Sequence, residues 1–355
     1  TLLTVGQHIA VVITAILLFV LWRVRRAQRS STTVLREGVA AIGGFAALFI
    51  VYASLAFLPR PMAALVTSDE TVVAIDFHSH TQYSYDARRG WTDDDVRDWH
   101  RGAGYDAAYI TDHATYDGAE RGIAANPPVA GQGTMLLQGL EAIYRGEHVN
   151  ILSAGRHYRG LTDPSLKNVD EESLTLASLL RRSTPILIET IPGNLNHVPA
   201  ATATTPGVQA IELVDASPRG LSQGQRDRAR IIRIADSLNL ALVTGSDNHG
   251  YGRAAPAWTL LRIPGWRGMP TDSLSQQIEF VLRDGRRHAT RVVERRVAPA
   301  GNSLEVLLAA PLATWTMFAT LSADERVLWL IWVWAIVVIT RGIRSYRTRP
   351  PTATA

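Results

Sequence analysis

His78 and His80 stand two residues apart in DFHSHTQYSYD, and Asp86 follows six residues after the second. Further along, Asp112 and His113 lie in ITDH, Glu141 closes GLE, His148 stands seven residues beyond it, and Asp247 and His249 lie in GSDNH. The chain has no cysteine, so a metal must be held by His, Asp and Glu. Imidazole and carboxylate together suit Zn, Mn or Fe, and a carboxylate can bridge two cations. Cations gathered in this way lower the pKa of bound water and clamp a phosphoryl oxygen, which is hydrolytic chemistry. A His-x-His pair at a strand end sends both imidazoles to one side, because side chains repeat there with a period of two.

These residues need a frame that brings distant segments to one place. The runs TVVAID (71–76), AAYIT (107–111), TMLLQGLE (134–141), VNILSA (149–154), PILIET (185–190), VQAIELV (208–214) and ALVTGS (241–246) read as strands. Amphipathic stretches fall between most of them, the first opening at Thr92 as N-cap with Asp95 at the capping-box position. Seven β/α steps predict a barrel-like parallel sheet with its site at the C-terminal strand ends. Nearly every one of the groups named above falls at such an end. Trp258 to Val297 reads as an added strand, helix and strand. Asp76 and Asp112 read as orienting or strand-end groups, His100 and His288 as surface residues, and His157 as a loop residue.

HSHTQYSYD, ITDH, GLE, His148 and GSDNH, in this order over about Val73 to Gly250, resemble the PHP (polymerase and histidinol phosphatase) family. The resemblance implies an α/β fold, a distorted (βα)7 TIM-like barrel, over residues 68–300. It implies two or three divalent metals, with Zn, Mn and Fe all open, and hydrolysis of a phosphorylated substrate, a phosphomonoester or phosphodiester, by metal-activated water. It implies that His78, His80 and Asp247 hold a first metal, that Glu141 bridges it to a second held by His148, and that Asp86, His113 and His249 hold a third. Asp247 and His249 are expected to be catalytic as well as ligating. Arg253 is the expected phosphate-holding arginine, chosen over Arg88 and Arg145, because each lies within a few residues of a candidate ligand. One motif departs. Where the family has HPG, this chain has Ile191 before Pro192 and Gly193 in ETIPGNLNH. His197 is the expected substitute ligand and Glu189 the other candidate; otherwise the second metal is under-coordinated or the centre is binuclear.

The pI of about 9.6 invites a nucleic-acid reading, and the placement of charge argues against it. Arg23, Arg25, Arg26, Arg29 and Arg36 follow a first apolar run, Val5 to Trp22, and precede a second, Val39 to Leu58. Arg341, Arg344, Arg347 and Arg349 follow a third, Val327 to Thr340. These flanks carry more positive charge than the net +4 of the whole chain, so the body between them is acidic. The expected organisation is two transmembrane helices with an arginine-rich cytoplasmic loop (1–60), the barrel (68–300), an amphipathic connector (301–325), a third transmembrane helix (326–342) and a cytoplasmic tail (343–355). The excess of arginine then sets the barrel outside the cytoplasm. The expected protein is an integral protein of a bacterial inner or plasma membrane, with the lipid bilayer as a partner and no nucleic acid; the oligomeric state is open. Two other readings stand beside phosphoester hydrolysis: a catalytically silent metal-binding ectodomain that senses a ligand, and an amide or ester metallohydrolase.

Overall fold

Each of the seven apolar runs forms a strand: β1 (Val72–Ser79), β2 (Ala107–Ile110), β3 (Met135–Tyr144), β4 (Glu147–Leu152), β5 (Ile186–Glu189), β6 (Ala210–Val214) and β7 (Ala241–Thr244). The computed structural model describes residues 5–26, 62–144, 146–152, 154–158, 161–162, 169–180, 184–191, 207–295 and 321–347, with scattered positions between 36 and 50 and between 311 and 319. The strands join in the order β7-β6-β5-β4-β3-β2-β1-β8-β9, where β8 (Ala257–Arg262) and β9 (Thr290–Glu294) form an added antiparallel hairpin.

The expected all-parallel seven-stranded sheet is therefore corrected twice. The sheet has nine strands, and β4 runs antiparallel to both β3 and β5. Only residues 145 and 146 separate β3 from β4, and a two-residue connection can only return the chain antiparallel. Gly146 supplies the left-handed backbone that such a turn needs, with φ 84°.

Closure depends on β1. Its first half, Val72 to Ile75, pairs with β8. Its second half is taken over by the segment after β7: Asp247 N–H donates to His78 O at 2.8 Å, and His80 N–H to Asn248 O at 3.3 Å. Thr290 Oγ1 also donates to Leu242 O, which brings β9 against β7. The sheet thus curls into a nearly closed barrel. Its interior is apolar, with Phe77, Tyr109, Met135, Leu137, Ile188 and Val243 in one buried cluster. The same cluster takes Leu274, Ile278 and Leu282 from the helix between β8 and β9 (Thr271–Gly285). That helix follows Arg262, which pairs with the first residue of β1, so it plugs the end opposite the C-terminal strand ends.

Helices cover the outside. α1 (Val5–Arg26) is the N-terminal helix, and α2 (Asp93–Ala103) opens with the expected capping box of Thr92 and Asp95. α3 (Asp117–Ala124) packs with it over Ala108, Ile110 and Leu136. α4 (Val169–Leu180) and α6 (Gln225–Leu238), with the one-turn α5 (Pro218–Ser222) before α6, lie on the β3–β7 side. The plugging helix is α7, and α8 (Ala323–Arg347) follows the barrel.

The membrane expectations come out differently from their sequence lengths. Among the described residues one helix is long and apolar enough to cross a membrane, Ala323–Ile343 in α8. The run that looked short, Val327 to Thr340, lies within this helix. α1 forms, but its apolar stretch is the shorter Ile9–Trp22. The second run, Val39 to Leu58, and the connector 301–325 fall mostly outside the described residues.

Candidate metal centre

The site begins with a slip in β1. Asp76 pairs with Ala108 and Ser79 with Ile110, so β1 spends three residues where β2 spends two. A bulge of this kind re-aims side chains. Asp76, before it, faces α2, where its Oδ2 lies 2.7 Å from His100 Nε2. Phe77 turns into the barrel core, and beyond the slip His78 and His80 point to the barrel's open end. Asp76 holds the rest of the seam with its other oxygen, accepting from His78 N at 3.1 Å and Ser246 N at 2.9 Å. Buried, hydrogen-bonded His100 corrects the expectation of a surface residue. On α2 it falls on the same face as Val96 and Ala103, four residues after one and three before the other, so the helical period itself places it inside.

Eight of the nine expected ligand residues converge. His78 Nε2 lies 3.1 Å from His80 Nε2, and the two nitrogens share both Glu141 Oε2 (3.1 and 3.2 Å) and Asp247 Oδ1 (3.3 and 3.3 Å). His113 Nε2 is 3.3 Å from the same Glu141 oxygen and 3.5 Å from Asp86 Oδ2. His249 Nε2 is 3.2 Å from Asp86 Oδ2, and its Nδ1 is 3.3 Å from Asp247 Oδ1. His148 Nδ1 meets the other Glu141 oxygen at 2.6 Å. Three overlapping groups result: His78, His80 and Asp247; His80, Asp86, His113 and His249; His113, Glu141 and His148. Glu141 was expected to end its strand, and His148 to stand just before β4. Glu141 lies inside β3, which runs on to Tyr144, and His148 is the second residue of β4.

Such a set fits divalent cations. Two imidazole nitrogens 3.1 Å apart, both against the same two carboxylate oxygens, aim at common points and not at one another. A metal with bonds of about 2.1 Å sets its tetrahedral ligands about 3.4 Å apart, the spacing these donors have. His80 Nδ1, buried, has no hydrogen-bond partner of its own. Burial alone would depress the pKa of His78, but the charges of Glu141, Asp247 and Glu212 hold it well above its ordinary value. For His80 burial again opposes, and hydrogen bonds to Asp247 and Glu141 lift it to about 9. Asp247 goes the other way: burial would raise it, and the His78 charge with the His80 hydrogen bond takes it to about 2. Glu141 is likewise held well below its ordinary value, against burial, by the His78 charge, so these two carboxylates favour positive charge at the centre.

Neighbouring groups fix the donors. Glu212, on β6, was missed by the sequence reading. It is fully buried; its Oε1 lies 3.3 Å from His78 Nδ1, and its Oε2 accepts from Ile191 N at 3.2 Å. The signal was there: strands shared on both sides and covered on both faces read as unbroken apolar runs, so a glutamate inside VQAIELV needs a buried partner. Asp112 accepts from Thr81 N at 2.6 Å and Thr81 Oγ1 at 2.5 Å, holding the backbone just past His80. Asp247 has φ 45°, a strained conformation for a residue with a Cβ.

The remaining candidates are placed less centrally. Arg253 is exposed, and among the described residues makes no hydrogen bond or ion pair with these donors. Arg88 lies closer: its N–H donates to His249 O at 2.9 Å and its guanidinium lies over the Trp91 ring. Ile191 is buried at the position where the family has a histidine. Glu189 is buried on β5, in register with Val149, which belongs to the cluster outside the barrel; Glu189 does not join the donors. His197 and Arg145 lie outside the described residues.

No protein-family model matches the sequence, and no curated protein does. Among solved structures, the chain is similar to PsfC from Pseudomonas syringae, with 16% identity over 70% of this chain and 98% of that one and a TM-score of 0.42. It is also similar to a two-domain protein from Bacteroides vulgatus containing a predicted PHP-like metal-dependent phosphoesterase, with 16% identity over 67% of this chain and 70% of that one and a TM-score of 0.40. A third is the lesion-specific endonuclease Q of Pyrococcus furiosus, with 13% identity over 60% of this chain and 56% of that one and a TM-score of 0.42. At such distances the reading of the site rests on its own donors and spacings.

Proposed function

We propose that the protein is a metal-dependent hydrolase of phosphoesters, of the PHP type that its motifs resemble, carried on a membrane-anchored domain outside the cytoplasm. The observation that carries this reading is the convergence of His78, His80, Asp86, His113, Glu141, His148, Asp247 and His249 at ligand-to-ligand spacing. Two or three Zn, Mn or Fe ions held there would supply an activated water and neutralise charge on a phosphoryl oxygen. The chain's own residues do the rest. Glu212 and Asp112 orient the histidine pair, Glu141 offers both of its oxygens to the donor groups around it, and the buried floor of Phe77 and Tyr109 excludes water from below. Arg88 or Arg253 would meet the substrate phosphate from the rim.

The anchor is read from α8 and from the arginine flanks, which by the positive-inside rule set both flanks in the cytoplasm and the barrel outside. The test of function is metal analysis of purified full chain, followed by assay on a phosphomonoester and a phosphodiester. His80→Ala and Asp247→Ala are expected to cut turnover at least a hundredfold. Well-metallated protein with no turnover above these variants would sink the hydrolytic reading. Ile191 favours a second reading, a metal-holding module that binds its ligand without hydrolysing it. Tight ligand binding with fewer than three metals and no turnover would select it.

A further inference from the structure

We infer that the metal centre opens at the membrane surface and that its substrate is a phosphoester borne by a lipid of that membrane; the inference rests on the hydrolytic reading above. The first turn of α8 is fixed to the barrel. Glu325 is 2% exposed, accepts from the Arg295 guanidinium, and forms a reciprocal cap with Ser322, whose N–H reaches Glu325 Oε2 at 2.8 Å. Leu321 is buried beside it. Arg295 follows β9 and donates its N–H to Pro256 O at 2.9 Å. The apolar run of α8 starts at Val327, two residues past Glu325, about 3 Å of helix rise. From there none of the spanning window is buried against the protein. The barrel is therefore held by its Pro256 edge within one helical turn of the apolar layer.

That edge leads straight to the site. Pro256 is five residues from Tyr251, at most about 17 Å of chain, and Tyr251 is two residues from His249. The mouth has the side chains of a membrane interface. Tyr251 is 65% exposed, and Tyr85, 81% exposed, lays its ring 4.9 Å from His113. Arg89, four residues past Tyr85, and Arg253, two past Tyr251, are exposed as well. Tyrosines settle at headgroup level and arginines draw anionic lipid phosphates, so a phosphoester in the leaflet reaches this mouth without leaving the bilayer. Its hydrolysis forms a bond from water oxygen to phosphorus, breaks the ester P–O bond, and returns the proton to the departing lipid alcohol.

Because the chain has no cysteine, Tyr251→Cys and Ser273→Cys, the second on the plugging helix at the opposite end, each carry one fluorophore in full-length protein reconstituted in vesicles. Phosphatidylcholine spin-labelled at the headgroup is expected to quench the label at 251 at least threefold more than the label at 273. Equal quenching, or the reverse, overturns the inference whatever the activity. Metal-loaded protein is then given phosphatidic acid and phosphatidylglycerol in vesicles, and glycerol phosphate and glycerophosphoglycerol in solution. The lipid esters are expected to turn over at least tenfold faster at equal bulk concentration. Equal or faster turnover of the soluble esters overturns the lipid substrate and leaves the hydrolytic reading standing; no turnover of any ester overturns both.

Discussion

Gly245 leaves no room for substitution. A Cβ there would overlap Glu212 Oε1 and His78 Cβ, so the close approach of β7 to β1 and β6 depends on its absence. Gly245→Ala is expected to push His78 off its donor position and weaken Zn or Mn binding by about 10–100-fold, the usual cost of disturbing a ligand's support. Glu212→Gln, which keeps the shape, is expected to lose less, about tenfold; calorimetric metal titration separates the two. Glu189 gives a prediction about protons. Burial, with the Glu147 charge beside it, raises its pKa to about 8, and neither carboxylate oxygen has a hydrogen-bond partner. A folded pKa above the unfolded value of about 4.3 means the neutral acid favours folding below that pH, and the benefit is lost as pH rises to about 8. The melting temperature of Glu189→Gln should therefore gain on wild type steadily between about pH 5 and pH 8. A constant difference across that range would refute the assignment. At this scale the ligands were legible because His and Asp at strand ends announce themselves. Glu212 was missed although its place inside an apolar strand called for a buried partner; which partner, the imidazole of His78, only the fold shows.

The strands themselves were legible, since each is a short apolar run bounded by polar residues. Their directions were not. Periodicity is the same whichever way a strand runs, and only the two-residue turn at Gly146 decides that β4 comes back antiparallel. Nor does periodicity show the slip in β1 that separates Asp76 from His78, because register is a property of the pair β1–β2. Helix α2 was legible in its cap and misread on its face. Thr92→Ala should cost about 1 kcal/mol by loss of the cap alone. His100→Ala should cost more, about 3 kcal/mol, because it strands the Asp76 carboxylate without its buried partner. Urea unfolding of both variants checks the ratio; equal costs would mean that the Asp76–His100 pair contributes little.

For the molecule as a whole, three groups of donors that could hold ions, built on one side of a barrel, would couple stability to metal. A cation that binds only the folded state adds about 2.7 kcal/mol at a hundredfold excess over its Kd. Adding Mn or Zn to chelator-treated protein is thus expected to raise the melting temperature by several degrees. Asp247→Ala should abolish most of that rise, and a rise that survives it would place the ions elsewhere. Topology is tested by a reporter fused to the tail, which the proposed orientation puts in the cytoplasm; a tail outside would reverse it. The third apolar run was legible in the sequence, but the length of its helix was not. A count of apolar residues stops at the first charge, whereas α8 continues as a helix through Asp324, Glu325 and Arg341.

The division of β1 between two partners has a consequence for how the protein is made. Ser246 reaches Asp76 across 170 residues of chain, and Asp247 and His249 arrive with it. While the polypeptide is being synthesised, His78 and His80 emerge early and wait for the segment after β7 to seal the seam. Contacts of such long separation form slowly. If that seam closes last, completion of the ligand set coincides with the end of folding, and a metal that prefers the full set would act as a latch on the finished barrel. Refolding after denaturation should accordingly run through a species with its helices formed and its seam still open, shortened by metal and prolonged by a chelator.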